Sequence, residues 1–274
     1  MILTRVVPVD PVVAVEPETG QGGPDAGTGG PGIGRGETAS VDTLPRRVDL
    51  ESVGARASLA ELYAPPAVPW LRINSVLSIG GSVAGADGSS ESLSSRADRL
   101  LLGVIRSLAD VVLSGASSIR REGLHLPRTA RLAIVTGTGE LGNLRVPDDL
   151  EPGRLMVLCP PNAVPRIHRE QAHLRAEVVP VGAGGERMPA SGLLAALHSR
   201  GLARVVCEGG PTLATVLLRA GLVDELCLTT SPVLTAARSP LVPGSGSEQW
   251  PLELRQLLVA DEGTLFARWF VRRD

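Results

Sequence analysis

The sequence predicts an α/β protein with three layers, αβα: a mainly parallel central sheet covered by helices on both faces, closed by a C-terminal antiparallel hairpin. Three observations carry this reading. Short uninterrupted apolar runs such as DVVLS, RLAIVTG, RLMVLCP and RVVCEGG are the signature of strands buried on both faces. Stretches with helical spacing lie between several of them, as a parallel sheet with crossover helices requires. The tail ELRQLLVADEGTLFARWFVRR reads instead as two strands about a turn at Asp261, Glu262 and Gly263.

Residues 1–18 are apolar but broken by Pro8, Asp10, Pro11 and Glu16, and predict at most one short strand or arm. Residues 20–36, GQGGPDAGTGGPGIGRG, are too rich in Gly and Pro to bury a core. The GIGRG inside them has no strand before it and no helix after it, so it does not read as a dinucleotide loop. The chain is therefore divided into an N-terminal arm, 1–57, and one α/β domain, 58–274. SLAELY is a short helix stopped by Pro65 and Pro66. WLRINSVLSIGGSVAG is a strand running into a Gly-rich loop. SSRADRLLLGVIRSL places Leu100, Leu101, Val104, Ile105 and Leu108 on one side of a helix. DVVLS is a strand ending at Gly115, followed by the strands RLAIVTG, RLMVLCP and AEVVPVG. SGLLAALHSRG is a helix closed by Gly201. RVVCEGG, PTLATVLLRAG and DELCLTTSPVL complete a strand–helix–strand unit.

Composition removes several functions. The 274 residues suffice for a real core. With 27 basic against 29 acidic residues, no charge-driven nucleic-acid or membrane binding is expected. All the basic residues are Arg, which excludes a Schiff-base lysine. Aromatics at 2% are too few for a base-stacking platform. Cys159, Cys207 and Cys227 sit in apolar runs and read as buried free thiols; His125, His168, His173 and His198 have no zinc spacing, so no metal is expected. There is neither a signal peptide nor a membrane span, which predicts a cytoplasmic protein.

Two turns at strand ends suit a phosphate-bearing ligand. In RVVCEGGPTLATVLL, Gly209 and Gly210 allow close backbone approach, Pro211 opens a helix, and the N–H groups of Thr212, Leu213 and Ala214 would point at an anion. Gly210 is expected to need a conformation that only glycine adopts easily. In DVVLSGASSIRREG, Gly115 and the small hydroxyl residues after it could bind phosphate or merely cap a helix. An unliganded turn would favour the same residue types, and Arg120 and Arg121 could equally be solvated surface.

Taken together, NSVLSIGGSVAGADGSSESLSSRADRLLLGVIRSLADVVLSGASSIRREG and RVVCEGGPTLATVLLRAGLVDELCLTTSPVL resemble the reductase domain of bacterial riboflavin biosynthesis, the pyrimidine reductase branch of the dihydrofolate-reductase-like fold. The resemblance runs from about Leu59 to the C-terminus. The EGGPTL…GLVDEL stretch is specific, and SGASS is a variant of V-G-x-G-T-V-R-A. It implies an NADPH-dependent oxidoreductase acting on a small ribosylaminopyrimidine of the 5-amino-6-ribosylaminouracil phosphate type, and a homodimer. It places Gly210 through Val216 along the cofactor, Ser117 in the position of the family's cofactor-binding Thr, and Val76 at the nicotinamide end through its backbone. Ser89 and Arg106 would hold the substrate's ribose phosphate, and Glu208 would be the catalytic carboxylate at the substrate. On its own residues, Arg106 could equally compensate a helix dipole, and Glu208 could cap a turn. Ser117, Ser118, Arg120 and Arg121 form a cluster that would prefer the 2′-phosphate of NADPH over NADH.

The chain departs from the pattern at Ser78-Ile79-Gly80-Gly81, where members have S-x-D-G. Loss of that acidic residue opens two alternatives: a pterin or folate reductase of the same fold, or a non-catalytic nucleotide-binding relative. Arg121 and Glu122 also replace the usual Ala-Asp or Asp-Asp. There is no zinc-deaminase signature, so a bifunctional deaminase–reductase is not expected. Deleting residues 1–36 should leave the fold intact, unless residues 2–15 add a strand to the sheet.

Overall fold

The computed structural model describes residues 1–5, 47–184, 188–236, 238–244 and 248–273. These residues form one sheet of eleven strands, in the order β2-β1-β10-β11-β9-β3-β8-β4-β5-β6-β7. Its parallel part consists of β9 (Glu225–Ser231), β3 (Trp70–Ser78), β8 (Arg204–Cys207), β4 (Val111–Gly115), β5 (Arg131–Val135), β6 (Leu155–Cys159) and β7 (Glu177–Pro180). Antiparallel pairing begins at β9, where β11 (Leu265–Val271) and β10 (Leu252–Ala260) add the C-terminal hairpin.

The apolar runs become strands for the reason their pattern suggests. Along β4, Val112 enters one core cluster, and Val111 and Leu113 enter the other. On the first face lie α1 (Ala55–Tyr63), α2 (Arg96–Ser107), α3 (Ala116–Glu122) and α4 (Val164–Glu170). On the second lie α5 (Ala190–His198) and α6 (Pro211–Arg219). A strand sandwiched in this way can be apolar at every position.

The N-terminal stretch does contribute a strand. β1 (Ile2–Arg5) pairs antiparallel with β10, and β2 (Arg47–Asp49) pairs with β1 at the sheet edge. Leu3 is fully buried. Helix α1 starts at Ala55, three residues before the expected SLAELY, because Ala55 also packs into the core. The Gly-rich 20–36 segment and its GIGRG lie outside the described residues.

Beneath this frame sits a buried ionic knot. Glu225 is wholly buried and takes hydrogen bonds from Arg72 (Nη2–Oε2 2.8 Å), Arg268 (Nε–Oε1 2.6 Å) and the Trp70 indole (2.8 Å). Both arginines continue to carbonyls at the end of α1, Arg72 to Tyr63 and Arg268 to Leu62. Burial alone would raise the Glu225 pKa, but the two guanidiniums outweigh it and hold the carboxyl down at about 2.

Candidate active site

Strand β3 outruns its neighbour. Its pairing with β8 stops at Ile73↔Cys207, while its pairing with β9 continues to Ser78↔Ser231. Beyond Cys207 the chain leaves the sheet through Glu208-Gly209-Gly210 into α6. The β8-side edge of residues 74–78 is thereby left open, and a cleft of about 530 Å³ lies there, at the carboxyl ends of the parallel strands. Its walls are Asn74, Ser75 and Val76 of β3, the loop holding Ser89–Glu91, the inner face of α2 with Asp98, Arg99 and Arg106, and the two strand-to-helix turns.

The turns touch each other. The Gly210 N–H donates to the Ser118 hydroxyl at 2.9 Å. A Cβ on Gly209 would lie 2.6 Å from Leu213 Cδ2 and 3.2 Å from the Gly115 nitrogen, and one on Gly210 would lie 2.7 Å from Ser118 Oγ. A side chain at either position would displace Leu213 or Ser118, and at Gly209 it would also press on the Gly115 backbone. The expected conformational reason is corrected for Gly210: its φ of −60° and ψ of 176° are open to any residue.

The N-terminus of α6 offers less than expected. The N–H groups of Leu213 and Ala214 both donate to the Gly210 carbonyl, at 3.1 and 3.2 Å, because the helical ladder starts there. Of the three anticipated donors, the Thr212 N–H alone lies ahead of that ladder; the Leu213 and Ala214 side chains are core. Ser117 is exposed and does not line the cleft, whereas Ser118 is buried and does. Aligning Gly115 with the first Gly of V-G-x-G-T puts Ser118, not Ser117, under the Thr, so the signal was present in the motif. Arg120 is turned away to the Glu140 carbonyl (2.7 Å), while Arg121 lines the cleft with no partner among the described residues.

At the start of the α6 turn, Arg106 of α2 grips Glu208. Nε donates at 2.9 and 3.1 Å and Nη2 at 2.5 Å, with the two side chains 21% and 13% exposed. Burial acts against the Arg106 charge, but the hydrogen bonds and charge of Glu208 outweigh it and raise the Arg106 pKa. Both residues are thus brought to one place, bound to each other. Burial pushes the neighbouring Cys207 thiol up to about 12, so no thiolate nucleophile stands beside Glu208. Ser89 lines the rim with its hydroxyl donated to Asp87 Oδ2 at 2.8 Å. Among the described residues, no group of three or more His, Cys, Asp or Glu could hold a metal ion.

Reading the sequence missed Asn74, Ser94 and Asp98. The polar Asn inside the apolar strand WLRINSV was a visible signal, whereas an acid in the first turn of a helix, as Asp98 is, carries none of its own. Gly80 is not part of the cleft wall. A Cβ there would fall 1.9 Å from the Thr235 carbonyl oxygen, since the segment after β9 crosses over it.

The sequence profile of the RibD C-terminal domain family matches residues 69–266. The chain belongs to that family. It is 28% identical over 195 residues to the 2,5-diamino-6-ribosylamino-4(3H)-pyrimidinone 5′-phosphate reductase of Methanothermobacter thermautotrophicus, covering 66% of this chain and 87% of that one. It is 34% identical over 172 residues to the riboflavin biosynthesis protein RibD of Mycobacterium tuberculosis, spanning 62% of this chain but 43% of that protein. The fold is also that of a pyrimidine reductase-like protein from Corynebacterium diphtheriae, with a TM-score of 0.66 and 24% identity over 79% of this chain and 99% of that one. In this RibD-family domain the open flank of β3 and the two touching turns share a single cleft.

Proposed function

We propose that the chain is an NADPH-dependent reductase of a ribosylaminopyrimidine 5′-phosphate in riboflavin biosynthesis, working as a homodimer. The observation that carries this reading is the pair of glycine turns locked together in a cleft that the Arg106–Glu208 pair also lines. Gly209 and Gly210 line the cleft with bare backbone, which suits a pyrophosphate. A nicotinamide cofactor bound in the cleft would supply a hydride. The Thr212 N–H and the Gly209–Gly210 backbone would hold its phosphates, the backbone around Val76 its nicotinamide end, and Arg121 its 2′-phosphate.

Reducing a ribosylamine at C1′ breaks the C1′–O4′ bond, with the ring oxygen taking up a proton from solvent, and develops positive charge at the C1′–N bond that the added hydride then neutralises. Arg106 holds the Glu208 side chain in a fixed orientation, so it can stabilise that cation without reorganising. The test is direct. Wild-type protein is titrated with NADPH and NADH, then assayed for NADPH oxidation with the ribosylaminopyrimidine phosphate. Tighter binding of NADPH and substrate-dependent oxidation are expected; absence of turnover with NADPH bound would overturn the reductase reading.

A further inference from the structure

Beside the cleft lies a second cavity of about 470 Å³, and Ala84 and Arg121 line both. One wall is the loop after β3, where Gly85, Ala86 and Gly88 leave room; the other is the segment after β9. Backbone contacts stitch the two walls together: the Val83 N–H donates to the Ser239 carbonyl at 2.8 Å, and Ser82 pairs with Pro240 in an antiparallel bridge. Among the described residues, the charged side chains lining this cavity are Arg121 and Arg238, with no acid beside them. Neither guanidinium has a hydrogen-bond or ionic partner among those residues. Asp87 lies between Ala86 and Gly88 in the chain, yet its carboxylate is spent on the Ser89 and Ser92 hydroxyls, at 2.8 and 2.7 Å. Two unpaired guanidiniums over small residues attract a dianion. A phosphate monoester carries a charge of about −1.5 to −2 at neutral pH and offers three oxygens to the planar N–H forks of arginine. A single carboxylate would match one guanidinium and leave the other unneutralised, and an uncharged ring edge would leave both.

Resting on the reductase reading above, we propose that Arg121 and Arg238 together bind one phosphate monoester in this second cavity, as a subsite entered from the cleft. That reading brings two groups of this chemistry to the protein, the 2′-phosphate of the cofactor and the 5′-phosphate of the substrate. Arg238 is then a specificity residue supplied by the segment after β9, on the far side of the cavity wall from the glycine turns. The stitched backbone holds the two walls in place before the ligand arrives, so binding orders the two side chains and not the loops.

The test compares wild type, Arg121→Gln and Arg238→Gln by titration calorimetry, with melting temperature as the folding control. Two ligand pairs are used: NADPH with NADH, and the ribosylaminopyrimidine with and without its 5′-phosphate. In one pair, both variants should weaken binding of the phosphorylated member by about tenfold or more and leave the other member within about twofold. Loss in the cofactor pair identifies the 2′-phosphate as the occupant, and loss in the substrate pair identifies the 5′-phosphate. No loss in Arg238→Gln, equal losses for both members of a pair, losses in both pairs alike, or losses of the two variants in different pairs overturn the shared subsite. Substrate-dependent NADPH oxidation is measured in parallel. Phosphate discrimination that depends on both arginines, without turnover, overturns the reductase reading and keeps this one. Turnover in wild type with discrimination intact in both variants keeps the reductase reading and overturns this one. A wild type that binds no member of either pair overturns both.

Discussion

At the scale of single residues, contacts rather than conformation set what each position must be. Gly210 has an ordinary backbone but faces Ser118 Oγ at a distance no Cβ can share. Gly210→Val should therefore break the bond between the two turns and weaken NADPH binding by more than tenfold, about 1.4 kcal/mol, as read by titration calorimetry. Glu208→Gln keeps the shape and removes the charge; NADPH affinity should stay within about tenfold while turnover falls much further. Wild-type turnover in that variant would mean the carboxylate only orients Arg106. Gly80→Asp tests the missing acid of the S-x-D-G pattern. Because the Thr235 carbonyl occupies the space of a side chain, restoring Asp should lower the melting temperature and leave turnover no higher. A gain in activity would show that the segment after β9 moves aside.

At the scale of elements, the N-terminal strand is part of the sheet and not an appendage. β1 covers the edge of β10, and Leu3 packs in the same cluster as Leu258 and Phe266. Replacing a buried Leu by Ala costs roughly 2–5 kcal/mol, and each kcal/mol shifts the melting temperature of a domain this size by about 2–4 °C. Deleting residues 1–36 removes the strand and should lower the melting temperature on the order of 10 °C, the outcome the sequence reading attached to residues 2–15 adding a strand to the sheet. NADPH affinity should be unchanged, because β10, β11 and β9 separate β1 from the open strand β3. An unaltered melting curve would show that β1 adds no stability. Most elements were legible: strands buried on both faces have a one-dimensional signature in their apolar runs. The seven-residue helices α3 and α4 were not, since two turns carry too little periodicity to stand out.

At the scale of the molecule, the buried Glu225 ties strands β3, β9 and β11 to the end of α1 through Arg72 and Arg268. Its folded pKa lies near 2, below the ordinary 4.5, so the knot contributes stability that is complete above about pH 5. That contribution is lost as the pH falls from there through 2. Acid unfolding followed by circular dichroism should show this loss, and Glu225→Gln should flatten it. The same variant leaves two buried guanidiniums uncompensated and should cost roughly 3–5 kcal/mol at neutral pH. Equal stability of Glu225→Gln and wild type at pH 7 would remove the knot from the account.

The sequence by itself determined the layered sheet, the closing hairpin and the two glycine turns, because each depends on residues adjacent in the chain: apolar runs, helical spacing, Gly and Pro at strand ends. It also determined the family, through EGGPTL and GLVDEL. What it could not determine were facts about pairs far apart. That Arg106 is spent on Glu208, that Ser118 and not Ser117 enters the cleft, and that Thr235 closes over Gly80 each join residues about 90 or more positions apart, or separate two neighbours in a helix. Such pairings arise when β3, β4 and β8 come side by side, and no local pattern records them. The tertiary structure decided them, by bringing charge to charge and backbone to backbone in a cleft that opens where one strand outlasts its neighbour.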